Sequence, residues 1–446
     1  MTDVQLLVQP SRPPGPPGGA GMLEIPVVFD AGRPLLLSGP VPDGLAAHRA
    51  RFGMLPDIDD QIEHAGLLDR VERLGLAGRG GGHFAVAAKW RAALAGDGGG
   101  MVVANGAEGE PASAKDAALL LHRPHLVLDG LACAAAAVGA TRTVVWLHEG
   151  AASTRRAVTM AVQERRAARM PEPTVRIVTG PDAYLSGESS AVVHALSGGP
   201  AVPQFRRARA AADGVDGLPT LVHNVETLAR IGLVARERHA GGYRDTTLVT
   251  VLSGGRRTVL EVDPASTVAT ALGLAGWTAG RPQAVLLGGY GGSWVPWATA
   301  AALPLEHRAL RAAGAGLGAG VIAALSARTC GISETAAVVD FLARAGARQC
   351  GPCLFGLRAI ADLLLELARG NGGRGHLRRL RRYAGEVAGR GACHHPDGVV
   401  RLVWTALATF EEDLTEHARR GRCLHSGTAA VLPIPGREPN PDGGGR

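Results

Sequence analysis

The chain of 446 residues contains only two lysines, Lys89 and Lys115; the other 45 of its 47 basic residues are arginine. Together with abundant alanine, this imbalance reads as a coding bias rather than a nucleic-acid footprint, and nucleic acid is not an expected partner. The densest basic run, Arg378, Arg379, Arg381 and Arg382, is interleaved with Leu377, Leu380 and Tyr383, the pattern of a solvated helix face. Where composition presses lysine toward arginine, a lysine that remains points to a need for a compact ammonium rather than a planar fork. Long apolar runs are also missing. No stretch approaches the ~18 uncharged apolar residues of a membrane span, and no basic segment followed by an apolar one stands at the start as in a signal peptide. A cytoplasmic protein without direct membrane insertion is the expectation. Six cysteines are too few for a secreted disulfide framework in a chain of this length.

What is present is a sizeable core. Hydrophobic residues make up 46% and charged residues 20%, which excludes global disorder, and the length suits two to four domains at about 100–200 residues each. The 63 glycines cluster, notably at 78–82 and 288–292, rather than following a collagen-like period. The Pro/Gly-rich segment 9–21 and the stretch from 433 to the end read as flexible arms. Between them, 59–74 reads as a helix. Strand-like runs at 101–104, 143–147 and 174–178 alternate with helical stretches at 115–138 and 154–169, an α/β pattern with a partly parallel sheet. From about Tyr243 the pattern changes to a small α+β module, with strands at 247–252 and 284–288 around a helix at 268–275, ending near Pro304. After Ile332 the chain reads as helical, with one apolar stripe of Leu357, Ile360, Leu364 and Leu367 and another of Trp404, Leu407, Phe410 and Leu414.

Five stretches carry candidate chemistry. Gly78-Arg79-Gly80-Gly81-Gly82-His83-Phe84, followed by Lys89-Trp90, can bring backbone N–H groups and a point charge to a phosphate. It is not the strand–turn–helix dinucleotide fingerprint, because His83 stands at the sixth position and a helix precedes it. Asn105-Gly106-Ala107-Glu108-Gly109-Glu110-Pro111, with Lys115-Asp116 behind it, leaves a strand and enters a helix, where α/β folds place ligand contacts. Tyr184-Leu185-Ser186-Gly187-Glu188-Ser189-Ser190 and His223-Asn224-Val225-Glu226-Thr227 would each pass as helix caps if read alone. Cys350-Gly351-Pro352-Cys353, with Cys393 forty residues on beside His394 and His395, offers soft thiolates for an iron–sulfur cluster or zinc. A thioredoxin reading of that tetrapeptide fails, since the chain beyond it is helical. Cys133 lies in an alanine-rich stretch and reads as a small core residue.

Taken together and in this order, these stretches resemble the NADH-binding flavoprotein subunit of respiratory complex I, a module shared with related hydrogenases and formate dehydrogenases. The resemblance runs over 58–414. The family's motifs read GRGGAGFPTG-x-KW, N-A-D-E-x-E-P-G-x-x-K-D, Y-x-x-G-E-E-T and N-N-V-E-T, and both lysines of this chain fall on motif lysines. The resemblance implies an α/β FMN-binding domain (31–242), a β-grasp-like (SLBB-type) module (243–305) and an all-α iron–sulfur domain (306–430), flanked by flexible segments 1–30 and 431–446. It places FMN at Gly78, Arg79, Gly80, Gly81, Lys89, Asn105, Glu108, Tyr184, Gly187, Glu188, Asn224 and Thr227, and NADH at Phe84 and Glu110. It also implies a [4Fe–4S] cluster on Cys350, Cys353 and Cys393, and redox partner subunits of ferredoxin-like or thioredoxin-like iron–sulfur type at the periphery of a membrane complex.

The departures are specific. His83 replaces a loop glycine, Ala107 an aspartate and Ser189 a glutamate, and the family's K-P-P-F-P-A stretch reads Arg206-Arg207-Ala208-Arg209-Ala210-Ala211. One cluster cysteine is missing, its place taken by Gly356 or Ala347 according to register, and the motif arginine is Leu357 or Leu354. Cys330, Cys423, His394 or solvent are the alternatives for the missing ligand, along with a three-iron form or loss of the cluster. The expected function is hydride transfer from NADH to FMN, then single electrons to the cluster. The alternatives are a relative that exchanges electrons with a ferredoxin-like partner without oxidising NADH, and a zinc-stabilised scaffold, using Cys393 and a histidine, with no redox role.

Overall fold

The computed structural model describes residues 27–29, 36–37, 44–56, 61–96, 99–205, 209–237, 243–253, 255–426 and 431–436. The segment 9–21 and residues 206–208 lie outside them, as do 437–446.

Among the described residues, ten strands form two sheets. After β1 (Val27–Phe29), the strands β2 (Met101–Asn105), β3 (Arg142–His148), β4 (Val175–Gly180) and β5 (Thr220–Asn224) make an all-parallel sheet in the order β4-β3-β2-β5. Val102, Val103 and Ala104 are wholly buried, so β2 carries the continuous apolar run of a strand covered on both faces. The helices Pro124–Ala137 and Val225–Arg236 cross so closely that a Cβ on Gly130 would lie 1.7 Å from the Leu228 carbonyl oxygen. Cys133 is buried here, as expected of a small core residue. The stretch 115–138 is not one helix. It breaks between Lys115–His122 and Pro124–Ala137, because proline disfavours helical backbone in the residue before it; Arg123 sits at φ −138°.

The second sheet is mixed. It contains β6 (Thr247–Ser253), β7 (Arg256–Val262), β8 (Pro282–Leu287), β9 (Ser293–Pro296) and β10 (Val321–Ser326), in the order β1-β7-β6-β10-β8-β9. Two features differ from the sequence reading. β10, inside the segment expected to be helical, inserts between β6 and β8, and β1, inside the expected flexible segment 1–30, pairs in parallel with β7. Both depend on partners distant in sequence and leave no local signal.

From Gly331 onward the described residues contain helices only: Gly331–Ala345, Leu357–Ala368, Arg374–Val387, His395–Thr409 and Glu411–Arg420, with a π-helical turn at Pro352–Gly356. The stripe Leu357, Ile360, Leu364, Leu367 is buried as expected. In the second stripe Trp404 is exposed and Val403 takes its place with Leu407, Phe410 and Leu414, which keeps the 3.6-residue period that Trp404 breaks. The arginine run lies on the Arg374–Val387 helix, with Leu380 inward and the Arg379 and Arg382 guanidinium groups over Tyr383. The segment 431–446 is not free throughout. Leu432 and Ile434 are buried among these helices, and Glu334 accepts hydrogen bonds from the Val431 and Leu432 N–H groups.

Glu110 fastens the two sheets together. Its buried carboxylate accepts hydrogen bonds from Ala112 N (3.2 Å), Tyr290 N (2.8 Å) and the Tyr184 hydroxyl (3.4 Å), joining the loop after β2 to the turn between β8 and β9. Burial outweighs these bonds and pushes the carboxyl from its usual value near 4.5 up to about 7. Between those two pH values the folded chain keeps a proton that the unfolded chain releases, so this contribution to stability falls as pH rises through the window. At ~1.4 kcal/mol per pH unit, the loss is about 3 kcal/mol. Glu110→Gln cannot titrate. Its unfolding free energy relative to wild type should rise by about that amount between pH near 5 and pH near 8; a pH-independent difference in urea denaturation curves at the two pH values would contradict this assignment.

Candidate functional site

The glycine loop is closed at its base. Gly78 N donates to Phe84 O (2.8 Å) and Val86 N to Leu76 O (2.9 Å), leaving 80–85 exposed at the tip. Gly81 takes φ +93°, which favours glycine. His83 also takes positive φ, +48°, and this explains why the family places glycine there. Here the strain is offset by a ring stack on His307, with centroids 3.6 Å apart. Desolvation, His307 and Arg79 push the His83 imidazole down to about 4, so it is neutral at pH 7.

A chain of charges runs beneath the loop. Arg79 N donates to Thr227 Oγ1 (2.9 Å), and its guanidinium pairs with Asp245. Asp245 also binds Arg230 (2.9 Å), Arg230 binds Glu226 (2.8 Å), and Glu226 binds Lys115 Nζ (3.0 Å). Lys115 continues to Asp116 (2.6 Å), and Asp116 accepts from Asn224 Nδ2 (2.6 Å). Burial opposes charge on Glu226, but Lys115 and Arg230 overcome it and hold the carboxyl down to about 2. Gly320 leaves room for this lysine, since a Cβ there would come 2.8 Å from Lys115 Cδ. Gly78, Arg79, Gly81 and His83 face Lys115, Glu226, Gly316, Leu317, Gly318 and Gly320 across a small cleft.

Lys89 differs from Lys115. It is half-buried on the helix Val86–Leu94, and its Nζ donates to the Val222 carbonyl at 3.3 Å. Among the described residues no carboxylate pairs with it, and burial together with Arg209 pushes its pKa below the usual range. Such a cation beside exposed loop amides fits a phosphate, and on this ground the residues present fit FMN.

The remaining FMN candidates form a knot next to the loop. Asn105 Nδ2 donates to Gly187 O (2.7 Å), and a Cβ on Gly187 would collide with Ala107 O at 2.3 Å. Glu108 accepts from Asp116 N and Ala117 N (both 3.2 Å) at the start of the Lys115–His122 helix; burial and Asp116 push its carboxyl up to about 7. Glu188 caps the helix Ser189–Leu196, accepting from Ser190 N (2.8 Å) and Ala191 N (3.2 Å). Of the two NADH candidates, Phe84 is exposed, with the Arg209 guanidinium over its ring at 5.6 Å, while Glu110 is the buried fastener described above. Lys115, Glu226, His307 and the 316–320 segment were not among the residues expected to hold FMN. Lys115 had a signal in its rarity, whereas the glycines of 316–320 are masked by a glycine-rich composition.

The knot touches the thiols. Tyr184 packs against His395 (5.6 Å between ring centroids), and the Glu188 charge is among the influences that, with burial, raise the Cys393 thiol. After burial, Cys350 is among the influences that raise the Cys353 thiol, and Cys350 and Cys353 are among those that raise Cys393, so the three lie near one another. Burial raises the Cys353 thiol, and the bond that Arg348 N donates to its Sγ at 3.3 Å opposes that rise. Gly356 offers no fourth ligand position, since a Cβ there would meet Val387 Cγ2 at 2.3 Å. Cys330 is also ruled out: the 15-residue helix Gly331–Ala345 sets it about 22 Å of helix away. His394 is fully exposed and lies 3.7 Å from Asp397.

Comparison with known proteins agrees with this architecture. The family description "Nuo51 FMN-binding domain" matches residues 71–233, and "NADH-ubiquinone oxidoreductase-F iron-sulfur binding region" matches 333–417, together more than half of the chain. The NADH-quinone oxidoreductase F subunit of Streptomyces coelicolor is 27% identical over 402 residues, covering 85% of this chain and 87% of the relative. Its Escherichia coli counterpart is 27% identical over 396 residues, covering 82% and 86%. An NAD+-reducing [NiFe]-hydrogenase in the air-oxidised state superposes with a TM-score of 0.74 at 26% identity over 82% of this chain, which spans 64% of that longer chain. Among the described residues no helix is long and apolar enough to cross a membrane. With both family regions matched in order and the motif lysines in place, the chain belongs to the family of NADH-binding flavoprotein subunits of respiratory complex I, as a diverged member.

Proposed function

We propose that this chain is an electron-entry subunit, in which FMN takes hydride from NADH and single electrons leave through an iron–sulfur cluster on Cys350, Cys353 and Cys393. The observation that carries the reading is Lys89, a half-buried ammonium with no carboxylate partner among the described residues, 3.3 Å from the Val222 carbonyl and 5.9 Å from the Phe84 ring of the glycine loop. FMN, when bound, supplies the conversion of a hydride into single electrons, and the cluster a one-electron relay. The protein supplies placement. The loop at Gly78, Arg79, Gly80 and Gly81 and the Lys89 ammonium would take the phosphate. The Asn105–Gly187 crossing, with Glu108, Tyr184, Glu188, Asn224 and Thr227, would border the ring. The contact of Tyr184 with His395 brings this border next to Cys393.

The domain partition follows the same reading: an FMN domain around β2–β5, a β-grasp-like module of SLBB type extended to include β10, and a helical iron–sulfur domain after it. Phe355, 71% exposed two residues from Cys353, supports docking of a ferredoxin-like or thioredoxin-like iron–sulfur partner at that face. A cytoplasmic subunit at the edge of a membrane complex fits these partners.

A second reading, a flavoprotein that does not oxidise NADH, is favoured by Glu110. The residue on the family's NADH contact is buried and already bound by three donors.

Lys89→Ala should weaken FMN binding about 30-fold, the equivalent of ~2 kcal/mol for a charge-assisted bond, measured by fluorescence quenching on titration of the apoprotein. Undiminished affinity would remove Lys89 from the site. In anaerobic mixing of the iron-reconstituted protein with NADH, the flavin absorbance should bleach. A bound flavin that stays oxidised with NADH but is reduced by a low-potential ferredoxin would replace the first reading with the second.

A further inference from the structure

Of the three thiols that the cluster does not use, Cys133 lies in the core beside the parallel sheet, and the other two, Cys330 and Cys423, meet at a histidine. Cys330 stands at the N-cap of the helix Gly331–Ala345, where its Sγ accepts from Ser333 N at 3.4 Å. Cys423 follows the helix Glu411–Arg420, which ends on Gly421 at φ +74°, and its Sγ accepts from His425 N (3.4 Å) and from the Ser426 hydroxyl (3.6 Å). His417 lies between them, with Nδ1 3.0 Å from the Leu367 carbonyl oxygen and Nε2 3.4 Å from Cys330 Sγ. A carbonyl can only accept, so the ring proton sits on Nδ1 and the Nε2 lone pair faces the sulfur atoms. Cys330 Sγ, His417 Nε2 and Cys423 Sγ all lie within 4.8 Å of one another; Cys330 and His417 are 0% exposed and Cys423 7%.

We propose that Cys330, His417 and Cys423 bind a zinc ion, distinct from the iron–sulfur cluster. Two thiolates and one imidazole in a closed, buried setting form a ligand set that suits zinc. The surroundings are those of a metal site as well. A histidine ligand whose other nitrogen donates to a backbone carbonyl is held in the right tautomer and orientation. Backbone N–H groups reach both sulfurs, Ser333 N at Cys330 and His425 N at Cys423, and hold them in place. A divalent cation neutralises the two buried thiolates. His425 and Asp413, whose Nδ1 and Oδ1 lie 4.0 Å apart, form with Cys423 a second group within the same 4.8 Å limit. The site would tie the end of the last helix back to the start of the first in the helical unit. It adjoins the place where Glu334 holds Val431 and Leu432. Zinc carries no electron, so the site stands whether or not NADH is the donor.

The test uses the full chain, purified anaerobically with thiols reduced. Wild type should carry about one zinc per chain, and a strong zinc chelator should lower its melting temperature. Replacing the zinc with cobalt should give tetrahedral ligand-field bands and thiolate-to-cobalt charge transfer. Cys330→Ser and His417→Gln should lose the zinc and the cobalt bands. Cys353→Ser should lose iron but keep zinc, separating the two sites. Reduced wild type that holds no zinc and gives no cobalt bands would overturn the proposal, as would zinc that persists in Cys330→Ser or a Cys330–Cys423 disulfide in the anaerobic protein. If the variants fail to fold, the wild-type zinc content, chelator shift and cobalt spectrum still decide it.

Discussion

The Lys115 ammonium is the interaction on which the rest of the site depends. It lies among Asp116, Glu226 and Asn224, where the helix after β2 meets the helix after β5, and the charges continue through Arg230 and Asp245 to Arg79 in the glycine loop. Buried charges are stabilising only when paired; removing one partner from such a chain leaves another stranded at a cost of several kcal/mol. The chain therefore fixes three separate segments, near 79, 115 and 226, in one arrangement before any ligand arrives. The two lysines that survive the compositional bias divide the work. Lys115 is saturated and holds the scaffold, while Lys89 keeps its charge available.

Much of this was legible in the sequence, and what was not shares a physical cause. β2 and β3 stand out because they are buried on both faces and read as apolar runs, whereas β5, which ends in His223 and Asn224, was legible only as a candidate helix cap. The glycine loop and the paired cysteines stand out because their chemistry is compressed into a few consecutive residues. The break at Pro124 was available locally and is a matter of backbone sterics. By contrast, the pairing of β1 with β7 and the insertion of β10 between β6 and β8 rest on hydrogen bonds between residues far apart in the chain. Leu432 and Ile434 sit in a proline-rich stretch that reads as a tail, and only the helices they pack against reveal them as core. The Lys115–Glu226 pair spans more than a hundred residues. Composition flagged the lysine, but nothing local could name its partner.

The candidate flavin border and the thiols belong to different parts of the chain, yet Tyr184 and Glu188 place them side by side. Tyr184 touches both Phe341 and His395, and its hydroxyl reaches Glu110, the residue that fastens the sheets. Glu110 thus sits at a crossing of structural and functional demands. Its position suits a residue that holds the two sheets in register beneath the site.

The collision between a Cβ at 356 and Val387 has an evolutionary consequence. In the register that puts the absent thiol at 356, the core has closed over the vacated position, and Val387 now fills the space. A side chain restored at 356 would meet the Val387 methyl, so that methyl must move or shrink before a thiol can stand there. Packing, and not ligand chemistry alone, thus bears on whether a single substitution could complete a four-cysteine set.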